Sequence, residues 1–105
     1  MEREKRRAPR YPFFASAELY EQRSDMRMVT RVSELGLYGC YLDMMNPFPE
    51  NTLILVKITA GDLTFESKAR VVYATPNMGA GVTFLDVEPK FNYILTRWLE
   101  EAEKR

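Results

Sequence analysis

Three arginines near the amino terminus form the strongest candidate for a chemical site. Arg6, Arg7 and Arg10 fall within five residues, on a segment that proline stiffens. A guanidinium group stays charged and presents forked donors that fit phosphate oxygens. The same fork matches the O6 and N7 acceptors of guanine. The cluster therefore predicts a site for a ligand with several phosphates or guanines, against the alternative of a solvated basic tail.

A second candidate is the segment of residues 33–39, where glycines would let a ligand approach the backbone closely. Its members are Ser33, Glu34, Gly36 and Gly39. A carboxylate beside the glycines can accept hydrogen bonds from the N1–H and N2–H₂ groups of guanine. Taken alone, the segment favours an ordinary structured turn over residues 34–39, with its glycines at positive φ.

The charge of the chain is unevenly distributed, although its total is zero. Residues 1–10 contain five basic and two acidic groups, so the other 95 residues carry a net charge of −3. A near-neutral body with a basic head suits a compact anionic ligand. It argues against RNA or DNA as a partner, because those ligands require a broad basic surface.

The composition also argues against an enzyme. The chain has no histidine, so it lacks the commonest general base and the commonest transition-metal ligand. Its single cysteine, Cys40, excludes an internal disulfide and indicates a reducing cytoplasm. Its apolar runs are too short to cross a bilayer, and no secretory signal follows the basic start. We therefore expect a cytoplasmic binding protein with no cofactor, no metal site and no membrane insertion.

The hydrophobic pattern predicts six strands followed by one helix. The β-prone segments cover residues 13–20, 27–33, 40–43, 53–59, 63–73 and 81–85. Apolar residues then recur at helical spacing and predict an amphipathic helix over about residues 88–103. Short turns between the strands favour an all-β fold, a small antiparallel barrel with the helix packed against it.

The same pattern divides the chain into two parts. Two prolines interrupt the first dozen residues, so we expect a flexible basic arm over residues 1–12 and a folded domain over residues 13–105. Tyrosines could add a stacking surface for guanine, with Tyr11, Tyr38 and Tyr73 as candidates. Ordinary packing in the barrel is the alternative for each of them.

The order of these features resembles the PilZ domain family. The arginine cluster has the form R-R-x-x-R, a strand hairpin follows, and the glycine segment comes roughly two dozen residues later. Residues 39–43 leading into 46–49, and residues 81–84 just before the helix, extend the likeness over nearly the whole chain. The resemblance implies a six-stranded barrel that acts as a bacterial receptor for cyclic di-GMP. It also implies that the arginine cluster holds the phosphates and guanines of this ligand, which is often bound as a stacked pair.

The second motif of the family is Asp or Asn, one residue, Ser, two residues, then Gly, and it aligns here in two registers. In the first register Ser33 takes the serine place and Gly36 the glycine place, which leaves Arg31 in the acidic place. In the second, Glu34 takes the acidic place, Gly36 replaces the serine and Gly39 takes the glycine place. We prefer the second because it aligns the following strand and keeps a carboxylate opposite the guanine edge. Each departure from the motif weakens binding by about 0.5–1.5 kcal/mol.

The resemblance leads to two functional hypotheses. The first is a cyclic di-GMP receptor whose arginine arm closes on the ligand and thereby alters contacts with an unidentified effector protein. The second is a degenerate PilZ-type module that binds a protein and no nucleotide. Either could act as a monomer or a homodimer.

Overall fold

Six antiparallel strands close into a barrel in the computed structural model, which describes residues 9–104. The strands are β1 (Arg10–Glu21), β2 (Arg27–Gly36), β3 (Gly39–Asp43), β4 (Leu53–Ala60), β5 (Leu63–Thr75) and β6 (Gly79–Leu85), and the helix is α1 (Pro89–Glu103). They pair in the order β1-β2-β3-β6-β5-β4, and β4 returns to β1. This architecture confirms the predicted all-β class, the six strands and the carboxyl-terminal helix.

The core lies inside the barrel because each strand alternates inward and outward side chains. In β4, for example, Ile54, Val56 and Ile58 are fully buried, while the residues between them are exposed. Burying a side chain of this size contributes about 1.5–3 kcal/mol. Helix α1 packs against β5 and β1, and the ring of Trp98 lies 5.2 Å from that of Phe13.

Strand β1 begins at Arg10, three residues before the predicted start at Phe13. Arg10 pairs with Gly36 of β2, so this arginine stands on the barrel wall. We had expected Pro12 to lie in the flexible arm, but it lies within β1, paired with Glu34 beside a register irregularity of the kind at which strands tolerate proline. Arg6, Arg7 and most of the predicted flexible arm lie outside the described residues.

The connection between β2 and β3 is shorter than predicted. Strand β2 continues to Gly36, and only Leu37 and Tyr38 separate it from β3, so the prediction of a turn over residues 34–39 is wrong. Within the described residues, the one glycine with a positive φ is Gly61. We had interpreted two strand glycines as turn formers. The remaining strand and helix bounds agree with prediction to within two residues.

None of the helical segments among residues 9–104 is both long and apolar enough to span a membrane.

Candidate functional site

A row of paired residues crosses the outside of the barrel over five strands. Its members, in order from β1 to β5, are Pro12, Glu34, Tyr41, Gly81 and Tyr73. Their neighbours along the strands, such as Leu35, Leu42 and Val82, are buried, so the row itself faces outward. This outer row brings one carboxylate and two tyrosines onto a single surface.

Arg10 reaches the outer row from the start of β1. Its Nη1 donates a hydrogen bond to Oη of Tyr73 at 3.4 Å, a long and therefore weak bond. On the way, its Cγ passes 3.1 Å from the position that a Cβ of Gly36 would occupy. A Cβ at position 36 would require a small shift of this side chain or of the Pro9 carbonyl. The glycine therefore provides the space through which Arg10 approaches the row.

The two tyrosines lie over glycines of β6. A Cβ at Gly81 would overlap the ring of Tyr73, and a Cβ at Gly79 would come within 2.8 Å of the ring of Tyr41. The ring centroids are 6.2 Å apart, and Tyr73 is 37% exposed. An exposed ring of this kind offers a face on which a base can stack.

We missed Tyr41 in the sequence, although a signal was present. It lies between Cys40 and Leu42, both fully buried, so strand alternation alone turns it outward. Partial burial raises the pKa of Tyr41, with smaller contributions from Tyr73, Asp43 and Glu34. Its hydroxyl therefore stays protonated at physiological pH and can donate a hydrogen bond.

The neighbouring Cys40 is not part of this surface. Its side chain is fully buried, and this burial raises the pKa of the thiol to about 12, despite the opposing influence of Arg10. The thiolate, which is the reactive form, is absent at physiological pH. Cys40 thus packs in the core.

Strand β2 contains a β-bulge within the segment that carries the second motif. The pairing of β2 with β3 shifts between Val32 and Glu34, which leaves Ser33 without a partner. Val32 and Leu35 are both fully buried, whereas the two residues between them are half-buried. The bulge therefore places two consecutive side chains on the outer side. Glu34 joins the outer row, but Ser33 Oγ donates to Oδ1 of Asp43 at 3.0 Å.

Arg31 is also held by Asp43. Its Nε and Nη2 lie 3.0 Å and 2.9 Å from Oδ2 of the carboxylate, and its guanidinium carbon lies 5.1 Å from the centre of the Phe14 ring. In the first register Arg31 would stand in the acidic place, where it offers no acceptor. The second register places Glu34 there, on the surface that Arg10 reaches. The choice of register stays a prediction, and the second register is the one whose carboxylate lies on this surface.

A match to the PilZ domain covers residues 4–101, almost the whole chain. The chain belongs to the PilZ domain family. The match includes the complete arginine cluster, of which the structure describes Arg10.

Two solved PilZ structures are similar to this one. The PilZ domain of YcgR from Escherichia coli, a structure with c-di-GMP, has a TM-score of 0.76 and 15% sequence identity, with 96% of this chain and 93% of that chain covered. The PilZ domain of CeSA from a cellulose synthesizing bacterium has a TM-score of 0.71 and 15% identity, with 90% and 98% covered. At this identity the likeness establishes the shared fold. A search of curated proteins found no match.

The structure places the residues predicted for the PilZ site in different surroundings. Arg10, Glu34 and Gly36 come together at the outer row. Ser33 is adjacent, but its hydroxyl is engaged with Asp43. Gly39 lies against β6, where a Cβ would overlap the carbonyl oxygen of Val82, so strand pairing alone requires a glycine there.

The other two tyrosines proposed for stacking are not members of the outer row. Tyr11 falls between Arg10 and Pro12 and so points to the opposite side of β1. Tyr38 lines a different hollow with Val87 and other residues near the start of α1. Of the three candidates, Tyr73 is the one in the outer row, where its hydroxyl accepts a hydrogen bond from Arg10.

A separate hollow of about 420 Å³ is lined by four methionines. They are Met28, Met44, Met45 and Met78, and the one charged side chain among the described residues of the lining is Asp43. That carboxylate is paired with Arg31, and none of the lining residues that the structure describes is basic, so these residues offer no cation to a phosphate. This hollow therefore differs from the outer row, which Arg10 reaches.

Across residues 9–104, no three His, Cys, Asp or Glu side chains lie close enough together to hold a metal ion.

Proposed function

We propose that this PilZ domain is a bacterial cytoplasmic receptor for cyclic di-GMP, and that it binds the ligand without transforming it. The observation that carries the proposal is the meeting of the two motifs on one surface. Arg10 of the arginine cluster crosses Gly36 of the second motif and ends beside the row that contains Glu34. The structure of the YcgR domain with c-di-GMP supports the same class of ligand.

The outer row suggests a role for each group. Arg10, with Arg6 and Arg7, would hold phosphate oxygens and the O6 and N7 edge of guanine. Glu34 would accept hydrogen bonds from guanine N1–H and N2–H₂. Tyr73 would stack on the base, and its neighbour Tyr41 would extend that aromatic surface.

The glycines and the serine of the second motif would act differently. Gly36 would leave room for Arg10, and Gly39 would keep β3 close to β6 behind the site. Ser33 would stabilise the bulge next to Glu34, because its hydroxyl already donates a hydrogen bond to Asp43.

The proposed signal is a movement of the arginine arm. When Arg6 and Arg7 engage the ligand, the residues before β1 would close over the outer row. The protein would then present a different surface to an effector protein, as in other transitions where a ligand orders a segment.

Calorimetric titration of cyclic di-GMP into the full chain tests this function. We expect saturable binding by the unaltered protein and roughly ten- to hundredfold weaker binding by Arg10→Ala, since a hydrogen bond to a charged group contributes about 1.5–3 kcal/mol. Arg97→Ala is the matched control, because Arg97 lies on α1 near Tyr93 and should leave the affinity unchanged. Absence of binding by the unaltered protein would overturn the proposal.

A second candidate function rests on the altered second motif. Glu34 and Gly36 stand where the family has Asp or Asn and Ser, which favours a module that binds a protein and no nucleotide. Amide NMR spectra with and without cyclic di-GMP separate the two. Shifts concentrated at residues 33–41 support the receptor, and identical spectra support the interaction module.

A further inference from the structure

Asp43, at the end of β3, connects two residues of β2. Its Oδ1 accepts a hydrogen bond from Ser33 Oγ at 3.0 Å. Its Oδ2 lies 3.0 Å from Nε and 2.9 Å from Nη2 of Arg31. The Asp43 side chain is 33% exposed, so these bonds are partly shielded from water. One carboxylate thus ties both β2 side chains to β3.

Asp43 contacts β2 at the bulge, through its hydrogen bond with Ser33. Ser33 is the extra residue there, and the pairing of β1 with β2 is irregular at the same height, between Pro12 and Ala15. A bulged residue lacks its bonds in the ladder, so the backbone around it is less restrained than the rest of the strand. The hydrogen bond from Ser33 to Asp43 supplies a restraint from the side chain instead.

The position of the bulge decides which side chain faces the outer row. Glu34 follows Ser33 directly and pairs with Tyr41. Because side chains alternate with a period of two, moving the bulge one residue toward Leu35 would turn Glu34 away from the row. The orientation of the Glu34 carboxylate therefore depends on the bulge staying at Ser33.

The charge of Asp43 is compatible with an anionic ligand nearby. Arg31 neutralises it through two nitrogens, and the guanidinium of Arg31 is further held against the ring of Phe14. The ion pair of Asp43 and Arg31 thus adds no net negative charge beside the site.

We propose that Asp43 is a positioning residue of the cyclic di-GMP site. By fixing the bulge at Ser33, it holds Glu34 toward the guanine edge without itself contacting the ligand. The ligand part of this proposal rests on the proposed function. The structural part, that Asp43 fixes the bulge, concerns the free protein and can be tested without the ligand.

Amide hydrogen exchange in the free protein tests the structural part. In Asp43→Ala we expect exchange at residues 33–35 to be at least tenfold faster than in the unaltered chain. Asp43→Asn keeps an acceptor for Ser33 and loses the ion pair with Arg31, so its exchange should be intermediate. Asp62→Ala, in the exposed turn between β4 and β5, is the control. Unchanged exchange at residues 33–35 in Asp43→Ala would overturn the proposal.

A double-mutant cycle with Glu34 tests the functional part. We expect Asp43→Ala to weaken cyclic di-GMP binding five- to tenfold in the unaltered background. It should cause no further loss in the Glu34→Ala background, because its effect passes through that carboxylate. An equal loss in both backgrounds would overturn the positioning role. Asp43→Asn serves in both backgrounds if Asp43→Ala does not fold, with a smaller loss expected.

The two measurements separate failure of this proposal from failure of the proposed function. If the unaltered chain does not bind cyclic di-GMP, the receptor function and the ligand role of Asp43 are both overturned. The exchange data still decide whether Asp43 fixes the bulge. If the chain binds and the cycle is additive, the receptor stands and the positioning role is wrong.

Discussion

The guanidinium of Arg10 lies 3.4 Å from the hydroxyl of Tyr73, although 63 positions separate them along the chain. The contact is possible because Gly36 has no side chain to block Arg10 and Gly81 has none to lift the ring of Tyr73. Glycines on the outside of the barrel thus allow a cation from β1 to meet an aromatic ring from β5. Their meeting joins a cation that is able to hold a phosphate to a ring face on which a base can stack.

Substitutions of Tyr73 should separate its ring from its hydroxyl. Tyr73→Phe keeps the stacking face and loses a long, weak bond to Arg10, so we expect less than a fivefold change in cyclic di-GMP affinity. Tyr73→Ala loses the face, and stacking contributes about 1–3 kcal/mol per base, so roughly tenfold or greater weakening is expected. Calorimetry measures both, with the exposed Tyr93→Ala as control. Equal losses from the two variants would contradict a stacking role.

Alanine at the two motif glycines should affect different properties. In Gly36→Ala, the new Cβ lies 3.1 Å from both Cγ of Arg10 and the carbonyl oxygen of Pro9, so Arg10 must shift and ligand affinity should fall several-fold. In Gly39→Ala, the Cβ overlaps the carbonyl of Val82, and overpacking of this kind costs about 1–3 kcal/mol of stability. Urea denaturation and calorimetry on both variants check this. A larger loss of stability in Gly36→Ala than in Gly39→Ala would be inconsistent with the structure.

Changes at Glu34 test the preferred register. Glu34→Gln replaces one acceptor oxygen with a donor that opposes the guanine edge, so we expect roughly tenfold weaker binding. Glu34→Asp restores the residue type of the family motif and should bind at least as tightly as the unaltered chain. Ser33→Gly, which instead alters the first register, should have a smaller effect than Glu34→Gln. A larger loss in Ser33→Gly than in both Glu34→Gln and Asp43→Ala, measured by calorimetry, would assign the ligand to the first register.

Much of the fold was predictable because it depends on local patterns. Alternation in segments such as residues 53–59 defines a strand with one buried face, and the spacing of Leu95 and Trp98 defines an amphipathic helix. The arginine cluster and the carboxylate of Glu34 were also evident as residue types.

The contacts of the site were not predictable in the same way, because they depend on barrel closure. The pairing of Arg10 with Gly36 and the approach of Tyr73 to Arg10 join strands that are distant in sequence. The bulge at Ser33 shifts the alternation by one residue, which a strictly periodic pattern does not reveal. The partnership of Ser33 with Asp43 follows from that shift.

The buried Cys40 should make the protein less stable at alkaline pH. Its pKa is raised from 9.0 to about 12 in the folded state, so only the unfolded chain loses the thiol proton above about pH 9. The contribution of the Cys40 thiol to folding stability is therefore fully present below about pH 9. It falls by about 1.4 kcal/mol per pH unit between pH 9 and pH 12. Cys40→Ala removes this contribution. Urea denaturation at pH 8 and pH 10.5 should show a smaller loss of stability for Cys40→Ala than for the unaltered chain. Equal losses in the two proteins would mean that the thiol ionises as readily in the folded state as in the unfolded chain.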